Sequence, residues 1–317
     1  MNGARARERP PIVCLMGPTG IGKTAIAVEL AARAPFDIVS VDSAMVYRGM
    51  DIGTAKPGPE ILARAPHRLI DICDPGESYS AARFRNDAEA AIDEILAAGR
   101  VPLLVGGTGL YFRALNRGLS PLPAAEPGLR ARLMEQARTQ GAAAMHARLA
   151  QVDPDAARRI HPNDPQRILR ALEVHALTGT ALSDLQSRSR PQPARYRAVS
   201  VALHPSDRPA LHAALGRRFR AMVGAGLLEE VRALQARGDL DENLPAMRAV
   251  GYRQAWDHLL GRCDLPTMVE RATAATRQLA KRQLTWLRGE ADCAHIEAGA
   301  ALPIDAVRAY LRTAGVI

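Results

Sequence analysis

The stretch GPTGIGKT, residues 17–24, decides the fold because it fills every fixed position of the pattern G-x-x-x-x-G-K-[ST]. It follows the apolar run PIVCLM (11–16) and leads into TAIAVELAARA (24–34), a segment that favours a helix. In this order of strand, loop and helix, glycines let backbone N–H groups converge on phosphate oxygens, and the helix N-terminus adds its dipole. The stretch therefore predicts a polyphosphate-binding loop at the carboxyl end of a strand.

Two side chains of this loop bear directly on phosphate chemistry. Lys23 supplies a point charge to the terminal phosphate, and the hydroxyl of Thr24 suits Mg²⁺. The residues predicted to bind the phosphates are Gly17, Pro18, Thr19, Gly20, Ile21, Gly22, Lys23 and Thr24. The pattern leaves open whether the phosphates are a fuel, a transferred group or a leaving group, because kinases, switches and transferases all use it.

Further apolar segments are typical of strands in the same sheet. They are FDIVSVD (36–42), part of HRLIDICD (67–74), VPLLVGG (101–107), YRAVSVALHP (196–205) and, as a last candidate, CAHIEAG (293–299). Helical patterns separate them, and strands that alternate with helices predict an α/β fold with a parallel sheet covered on both faces.

One region interrupts this alternation. From about residue 119 to 193 the chain is rich in Ala, Arg, Leu and Glu at helical spacing, and Pro-rich segments border it on both sides. We therefore predict a first part of the core in 1–118, a helical insertion in 119–194, and completion of the core with C-terminal helices in 195–317.

The composition has a basic excess. The 317 residues carry a formal net charge of +9, and 47% of them are hydrophobic. Such a charge favours a polyanionic partner such as nucleic acid, but an Arg-rich and Ala-rich genome produces the same excess. Charge alone therefore leaves the partner open.

The cysteines and the apolar runs bear on the compartment. Cys14, Cys73, Cys263 and Cys293 are scattered without a CxxC pair, which indicates reduced thiols and no metal cluster. No run of 18 apolar residues occurs. We expect a cytoplasmic protein without a membrane span.

Two polar residues are expected beside the phosphate loop, since the carboxyl ends of parallel strands share one edge. Asp42 ends the second strand and could hold a metal, accept a proton or simply cap a turn. Thr108, in GGTGLYFRAL (106–115), follows glycines that permit close backbone approach. It could offer its hydroxyl to the same cleft or belong to an ordinary strand-to-helix turn.

Two basic helices could follow a phosphate backbone. NDPQRILRALEV (163–174) carries Gln166, Arg167 and Arg170 on adjacent turns. In ATRQLAKRQLTWLRG (275–289), Arg277, Lys281 and Arg288 fall within about 40° of one another on a helix. A solvated charged face is the alternative for either helix.

Taken in order, six segments resemble one family, the bacterial tRNA dimethylallyltransferases. They are GPTGIGKT, VDSAMVYRGMDIGTAKP, GGTGLY, DPQRILRALEV, AVGYRQ and ATRQLAKRQLTWLRG, and they span roughly residues 11–289. The resemblance implies a P-loop, nucleotide-kinase-like core with a helical insertion that grips the anticodon stem-loop. It also implies transfer of a dimethylallyl group from its diphosphate to N6 of adenosine 37, with Mg²⁺ as cofactor and diphosphate as leaving group.

The resemblance further implies the residues that meet the substrates. Asp42 would act as general base, Lys23 would stabilise the leaving group, and Thr108 would hold the base or a diphosphate oxygen. Some members carry Gln where this chain has Met45. Together with the basic-helix residues, the predicted tRNA contacts are Asp42, Ser43, Ala44, Met45, Thr108, Arg130, Gln166, Arg167, Ile168, Leu169, Arg170, Met247, Arg248, Ala249, Val250, Gly251, Tyr252, Arg277, Lys281 and Arg288.

Other activities fit the same core. A small-molecule or nucleotide kinase would transfer a phosphoryl group from ATP without RNA. An enzyme that prenylates free adenine nucleotides would not need the insertion, and an RNA-binding NTPase would hydrolyse nucleotide without alkylation. We expect a monomer, and the role of Arg218 stays open between a diphosphate clamp and surface charge.

Overall fold

The computed structural model describes residues 9–188 and 194–317, so part of the Pro-rich border expected near residue 193 lies outside the described residues. The chain divides into two compact units, one formed by Met1–Asn116 and Ala194–Ile317 and the other by Arg117–Pro193. The helices in the described ranges are α1 Lys23–Arg33, α2 Pro59–Arg64, α3 Ala81–Ala97, α4 Gly109–Arg117, α5 Pro127–Val152, α6 Pro154–Arg159, α7 Pro165–Thr178, α8 Leu182–Arg188, α9 Arg208–Gly224, α10 Leu227–Ala236, α11 Tyr252–Leu259, α12 Leu265–Arg288 and α13 Ile304–Thr313.

A parallel sheet forms the centre of the first unit. Its strands are β1 Pro11–Met16, β2 Phe36–Val41, β3 His67–Arg68, β4 Val101–Gly106, β5 Arg197–Pro205 and β6 Ala294–Ala298. Within the described residues the order is β3-β2-β4-β1-β5-β6, and every adjacent pair is parallel. The predicted α/β fold with a parallel sheet is confirmed.

Alternating residues of β1 face two separate hydrophobic cores. Ile12 and Cys14 pack in one core, with side chains of α3, α4 and the C-terminal helices. Val13 and Leu15 pack in the other, with α1 and α13. Since successive side chains of a strand point to opposite faces, both faces of the sheet are covered.

The third strand is shorter than the apolar segment 67–74 indicates. It takes only His67 and Arg68, because Leu69 (φ 62°) and Asp71 (φ 56°) adopt left-handed backbone conformations that end it. The chain then returns beside the segment that follows β2, where Tyr47 and Cys73 form an isolated parallel bridge.

The second unit is a small helical body with its own core. Leu133, Met145 and Leu149 of α5 pack against Ile168 and Leu172 of α7. Gly141, with φ 83°, interrupts α5, so the chain turns between its two halves. In the described ranges, no helix combines the length and the apolar character that crossing a membrane requires.

Candidate active site

The phosphate loop connects β1 to α1 and is shaped by its glycines. Gly20 (φ 79°) and Gly22 (φ 94°) lie in the left-handed region that glycine tolerates best. Lys23 folds back over the loop, where its Nζ donates hydrogen bonds to the carbonyl oxygens of Gly17 (3.0 Å) and Pro18 (2.8 Å). When a polyphosphate binds to the loop, its oxygens can take the place of these carbonyl groups as hydrogen-bond acceptors for the ammonium.

Three charged side chains interact at this loop. Burial lowers the pKa of Lys23 to about 8, although the Asp42 carboxylate raises it, and Arg218 lowers it further. Burial also lowers the pKa of Arg218, again opposed by Asp42. Arg218, on α9, is half-buried, and its positive charge contributes to lowering the pKa of Lys23. Two partly desolvated cations beside one carboxylate form a site that favours a polyanion.

Asp42 follows β2 directly and shapes its own turn. Its Oδ1 accepts hydrogen bonds from the backbone N–H groups of Ala44 (2.8 Å) and Met45 (3.2 Å). The second oxygen, Oδ2, takes no part in these turn contacts. Asp42 therefore caps a turn and also keeps a carboxylate oxygen for other partners.

Thr108 lies at the equivalent point after β4. Its hydroxyl accepts a hydrogen bond from the backbone N–H of Ser43 (3.2 Å), and its own N–H donates to the carbonyl oxygen of Val41 (3.3 Å). A Cβ on Gly106 would lie 2.0 Å from the Val41 carbonyl oxygen, so only glycine permits this approach. The ends of β2 and β4 are thereby tied together.

Two polar residues that sequence reasoning missed hold the segment after Asp42. Lys56, with a side chain 4% exposed, pairs with Asp51 and Asp71, each at 2.5 Å. Glu230 accepts hydrogen bonds from three successive backbone N–H groups, those of Asp51, Ile52 and Gly53 (2.8–3.2 Å), and from the Tyr252 hydroxyl (2.5 Å). Neither residue carries a sequence signal of this role, because only the fold brings the partners together.

A third missed residue, Gln283, contacts the phosphate loop itself. Its Oε1 accepts a hydrogen bond from the Thr19 N–H (2.9 Å), and its Nε2 donates to the Gly107 carbonyl oxygen (3.0 Å). The sequence signal was its position on α12, on the side away from the basic stripe formed by Arg277, Lys281 and Arg288 and next to buried Leu287.

The predicted RNA-contacting residues separate into exposed and buried groups. Exposed side chains are those of Ser43, Gln166, Arg167, Arg248, Arg277, Lys281 and Arg288, and half-buried ones those of Asp42, Ala44, Met45, Thr108, Arg130, Leu169, Arg170, Ala249 and Val250. Arg170 is already engaged within the insertion, where it pairs with buried Glu173 (2.7 Å) and donates to the Pro123 carbonyl oxygen.

Four of the residues predicted to contact tRNA are buried. Ile168, Met247 and Tyr252 are each 0% exposed. Ile168 packs in the core of the insertion, whereas Met247 and Tyr252 belong to the larger core of the first unit. Gly251 is buried as well. The side chains of Ile168, Met247 and Tyr252 therefore form part of the packed cores.

The loop chemistry fits Mg²⁺. Among the described residues, no group of three His, Cys, Asp or Glu side chains could hold a metal ion. Mg²⁺ rarely needs such a cage, since it keeps several waters and binds through one or two protein oxygens together with substrate phosphates. The hydroxyl of Thr24, beside Lys23 at the start of α1, is a hard oxygen donor of this kind.

The fold and this site define a P-loop α/β protein with a nucleotide-kinase-like core. Two family models match the chain, IPP transferase over residues 45–290 and isopentenyl transferase over residues 10–70. The chain belongs to the IPP transferase family, and the resemblance drawn from its sequence is confirmed.

Curated relatives and solved structures agree with this placement. The tRNA dimethylallyltransferase of Thioalkalivibrio sulfidiphilus is 62% identical over 88% of this chain and 87% of its own length. That of Alkalilimnicola ehrlichii is 61% identical over 91% of each. The crystal structure of the tRNA isopentenylpyrophosphate transferase from Bacillus halodurans has a TM-score of 0.69 at 35% identity, covering 98% of this chain and 97% of that one.

Proposed function

We propose that this protein transfers a dimethylallyl group from dimethylallyl diphosphate to N6 of adenosine 37 in tRNA and releases diphosphate. The observation that carries the proposal is that the phosphate loop with Lys23 and the turn with Asp42 follow β1 and β2, whose last residues, Met16 and Val41, both pair with Gly106 of β4. This arrangement supports Lys23, together with Arg218, as the cations for a leaving group and Asp42 as the carboxylate for a proton. The names of the relatives, tRNA dimethylallyltransferases, support the same reaction.

The cations act on the donor. As the allylic C–O bond breaks, its electron pair moves to the diphosphate, whose negative charge grows toward the transition state. Lys23, Arg218 and the loop N–H groups stabilise that charge more in the transition state than in the ground state. Thr24 supplies an oxygen ligand for Mg²⁺, which would add further neutralisation.

The carboxylate acts on the acceptor. The lone pair of adenine N6 is delocalised into the ring, so N6 is a poor nucleophile, and its proton becomes acidic only as the new C–N bond forms. Asp42 accepts that proton as general base. Thr108, tied to Ser43 next to Asp42, fixes the turn that presents the carboxylate.

The RNA must bring the base out of its stack. Unstacking costs a few kcal/mol, least for an unpaired loop nucleotide. Phosphate contacts offset that cost, and we assign them to the exposed cations of α12, Arg277, Lys281 and Arg288, and to Arg167 of the insertion. In this proposal residues 119–194 bind the anticodon stem-loop, residues 1–118 and 195–317 carry the chemistry, and the protein works as a cytoplasmic monomer.

One assay tests the reaction. The protein is incubated with Mg²⁺, radiolabelled dimethylallyl diphosphate and unmodified tRNA, and a parallel reaction contains labelled ATP in place of the prenyl donor. We expect label in tRNA from the first reaction, none when adenosine 37 is replaced by guanosine, and no phosphoryl transfer in the second. Phosphoryl transfer without alkylation would identify a kinase instead.

A further inference from the structure

Gln283 joins the two loops between which the proposed reaction takes place. Its Oε1 accepts a hydrogen bond from the backbone N–H of Thr19, which belongs to the phosphate loop after β1. The Gly107 carbonyl to which it donates immediately precedes Thr108, in the turn after β4. One side chain therefore bridges the loop proposed to bind the prenyl donor and the turn proposed to face the adenine. Its two hydrogen bonds, 2.9 and 3.0 Å long, fix the distance between them.

The chemistry of the two partners selects an amide. Thr19 presents a donor and Gly107 an acceptor, so the side chain between them must carry one acceptor and one donor at the same end. Glutamate offers no donor at neutral pH, and leucine offers neither. The partners also fix the orientation of the amide, with Oε1 toward Thr19 and Nε2 toward Gly107.

The turn after β4 is shaped to admit this side chain. A Cβ on Gly107 would lie 2.3 Å from Nε2 of Gln283, so the glutamine occupies the space that any other residue would need. A Cβ on Gly109 would lie 2.4 Å from the ring of Trp286, one turn further along α12. Trp286 in turn stacks on Phe112 with the ring planes 17° apart. Gly107 and Gly109 thus leave room for two side chains of α12, Gln283 and Trp286, to pack against this turn.

The link continues from Gly107 to the proposed base. Thr108, the next residue, accepts the N–H of Ser43, and Ser43 follows Asp42 in the chain. A displacement of Gln283 is therefore passed through two hydrogen bonds to the turn that carries the Asp42 carboxylate. The two hydrogen bonds of the Gln283 side chain go to backbone groups of the loops, so its effect would be on geometry.

We propose that Gln283 is a positioning residue that holds the diphosphate loop and the Gly107–Thr108 turn at the separation that in-line transfer requires. The proposal rests on the prenyl transfer argued above. A shift of about 1 Å between reacting groups can cost about a hundredfold in rate. We therefore expect Gln283→Leu to lower kcat/KM for dimethylallyl diphosphate by about 10- to 100-fold.

A matched variant separates this role from general damage to α12. Gln278 is exposed on the same helix and lies outside the proposed machinery, so Gln278→Leu makes the same chemical change without touching the loops. We expect Gln278→Leu to keep kcat/KM within about twofold and both variants to keep the wild-type Kd for tRNA within about threefold. Gln283→Glu retains the acceptor for Thr19 but loses the donor to Gly107, and it adds negative charge beside the donor site.

The binding of inorganic diphosphate, measured by calorimetry, gives a readout that does not depend on alkylation. We expect weaker binding to Gln283→Leu, and weaker still to Gln283→Glu, than to wild type or Gln278→Leu. Equal diphosphate affinity and equal kcat/KM in the two leucine variants would overturn the positioning role. An equal loss of tRNA affinity and donor affinity would also overturn it, because α12 as a whole would then have moved. Failure of the wild type to alkylate tRNA would count against the proposed function alone.

Discussion

Ser43 donates its backbone N–H to the hydroxyl of Thr108 across 3.2 Å, which ties the loop after β2 to the turn after β4. Thr108→Val removes the acceptor at nearly constant volume, and the loop beside Asp42 loses its anchor. We expect kcat to fall about tenfold, which corresponds to the loss of one hydrogen bond of typical strength. Thr108→Ser keeps the hydroxyl and should retain most of the activity in the alkylation assay. Equal activity of the valine and serine variants would remove the hydroxyl from this role.

Asp42→Asn tests the general base with little disturbance of the turn. Both turn hydrogen bonds go to Oδ1, and asparagine keeps an oxygen acceptor at that position. We expect the variant to fold and to bind tRNA normally, but to lose about 100-fold or more in kcat because the proton acceptor is gone. Single-turnover alkylation together with tRNA filter binding measures both. Near-normal turnover would show that another group takes the proton.

The lowered pKa of Lys23 predicts a pH limit on donor use. Burial lowers it to about 8, so the donor-free protein loses this positive charge as pH rises through that value. Diphosphate binds the charged form, and kcat/KM for the donor should therefore fall above about pH 8, since this parameter reports the free protein. In the complex the bound diphosphate favours the ammonium, which moves the limit in kcat to higher pH.

Lys23→Arg is the variant that checks this assignment. A guanidinium stays charged throughout the accessible pH range, so the alkaline decline in kcat/KM should disappear even where the absolute rate is lower. If the decline persists unchanged in this variant, a different group is responsible for it.

The basic stripe of α12 predicts the salt dependence of tRNA binding. Removing one phosphate-binding cation should reduce the slope of log K against log salt by about 0.9. Arg277→Gln with Lys281→Gln should therefore flatten the slope and weaken binding at low salt, in a filter-binding titration across salt concentrations. Arg312→Gln removes one positive charge outside the stripe, from an exposed arginine of α13, and should leave the slope unchanged. An identical slope in the double variant would exclude α12 as the RNA track.

Glu230 predicts a large effect on stability. Its two oxygens accept four hydrogen bonds, three of them from the backbone, and Glu230→Gln turns one acceptor into a donor facing N–H groups. We expect the free energy of unfolding to fall by about 2–4 kcal/mol, because charge-assisted bonds disappear and unsatisfied groups are left behind. Urea unfolding followed by tryptophan fluorescence measures it. Glu229→Gln is the control, because Glu229 is exposed and pairs with Arg232.

The parts of the molecule that could be predicted are those written in local patterns. The strand, glycine loop and helix around Lys23 are adjacent in the chain, and the apolar runs of β2, β4 and β5 identify a buried parallel sheet without further information. The site depends on contacts of another kind. Thr19 and Gln283 are 264 positions apart, and a hydrogen bond from a backbone N–H to a distant glutamine leaves no periodic signal.

The same limit applies to two buried polar side chains. Tyr252, which the family resemblance places among the tRNA contacts, is buried, and its hydroxyl donates a hydrogen bond to Glu230. Lys56 lies in a Gly-rich polar segment, yet two carboxylates allow its burial. In both cases carboxylates brought into contact by the fold reverse what the local composition favours.

The central position of β1 determines when the diphosphate loop can acquire its shape during synthesis. Pro11 pairs with Arg197, and Gly17 approaches Leu203, so the neighbour on one side of β1 emerges from the ribosome only after more than half of the chain. Pairing between such distant segments is slow, since the intervening chain must first be ordered. A nascent fragment that stops before β5 consequently carries the loop sequence without the strand that pairs with β1 beneath it, so we expect donor binding only after β5 has been synthesised.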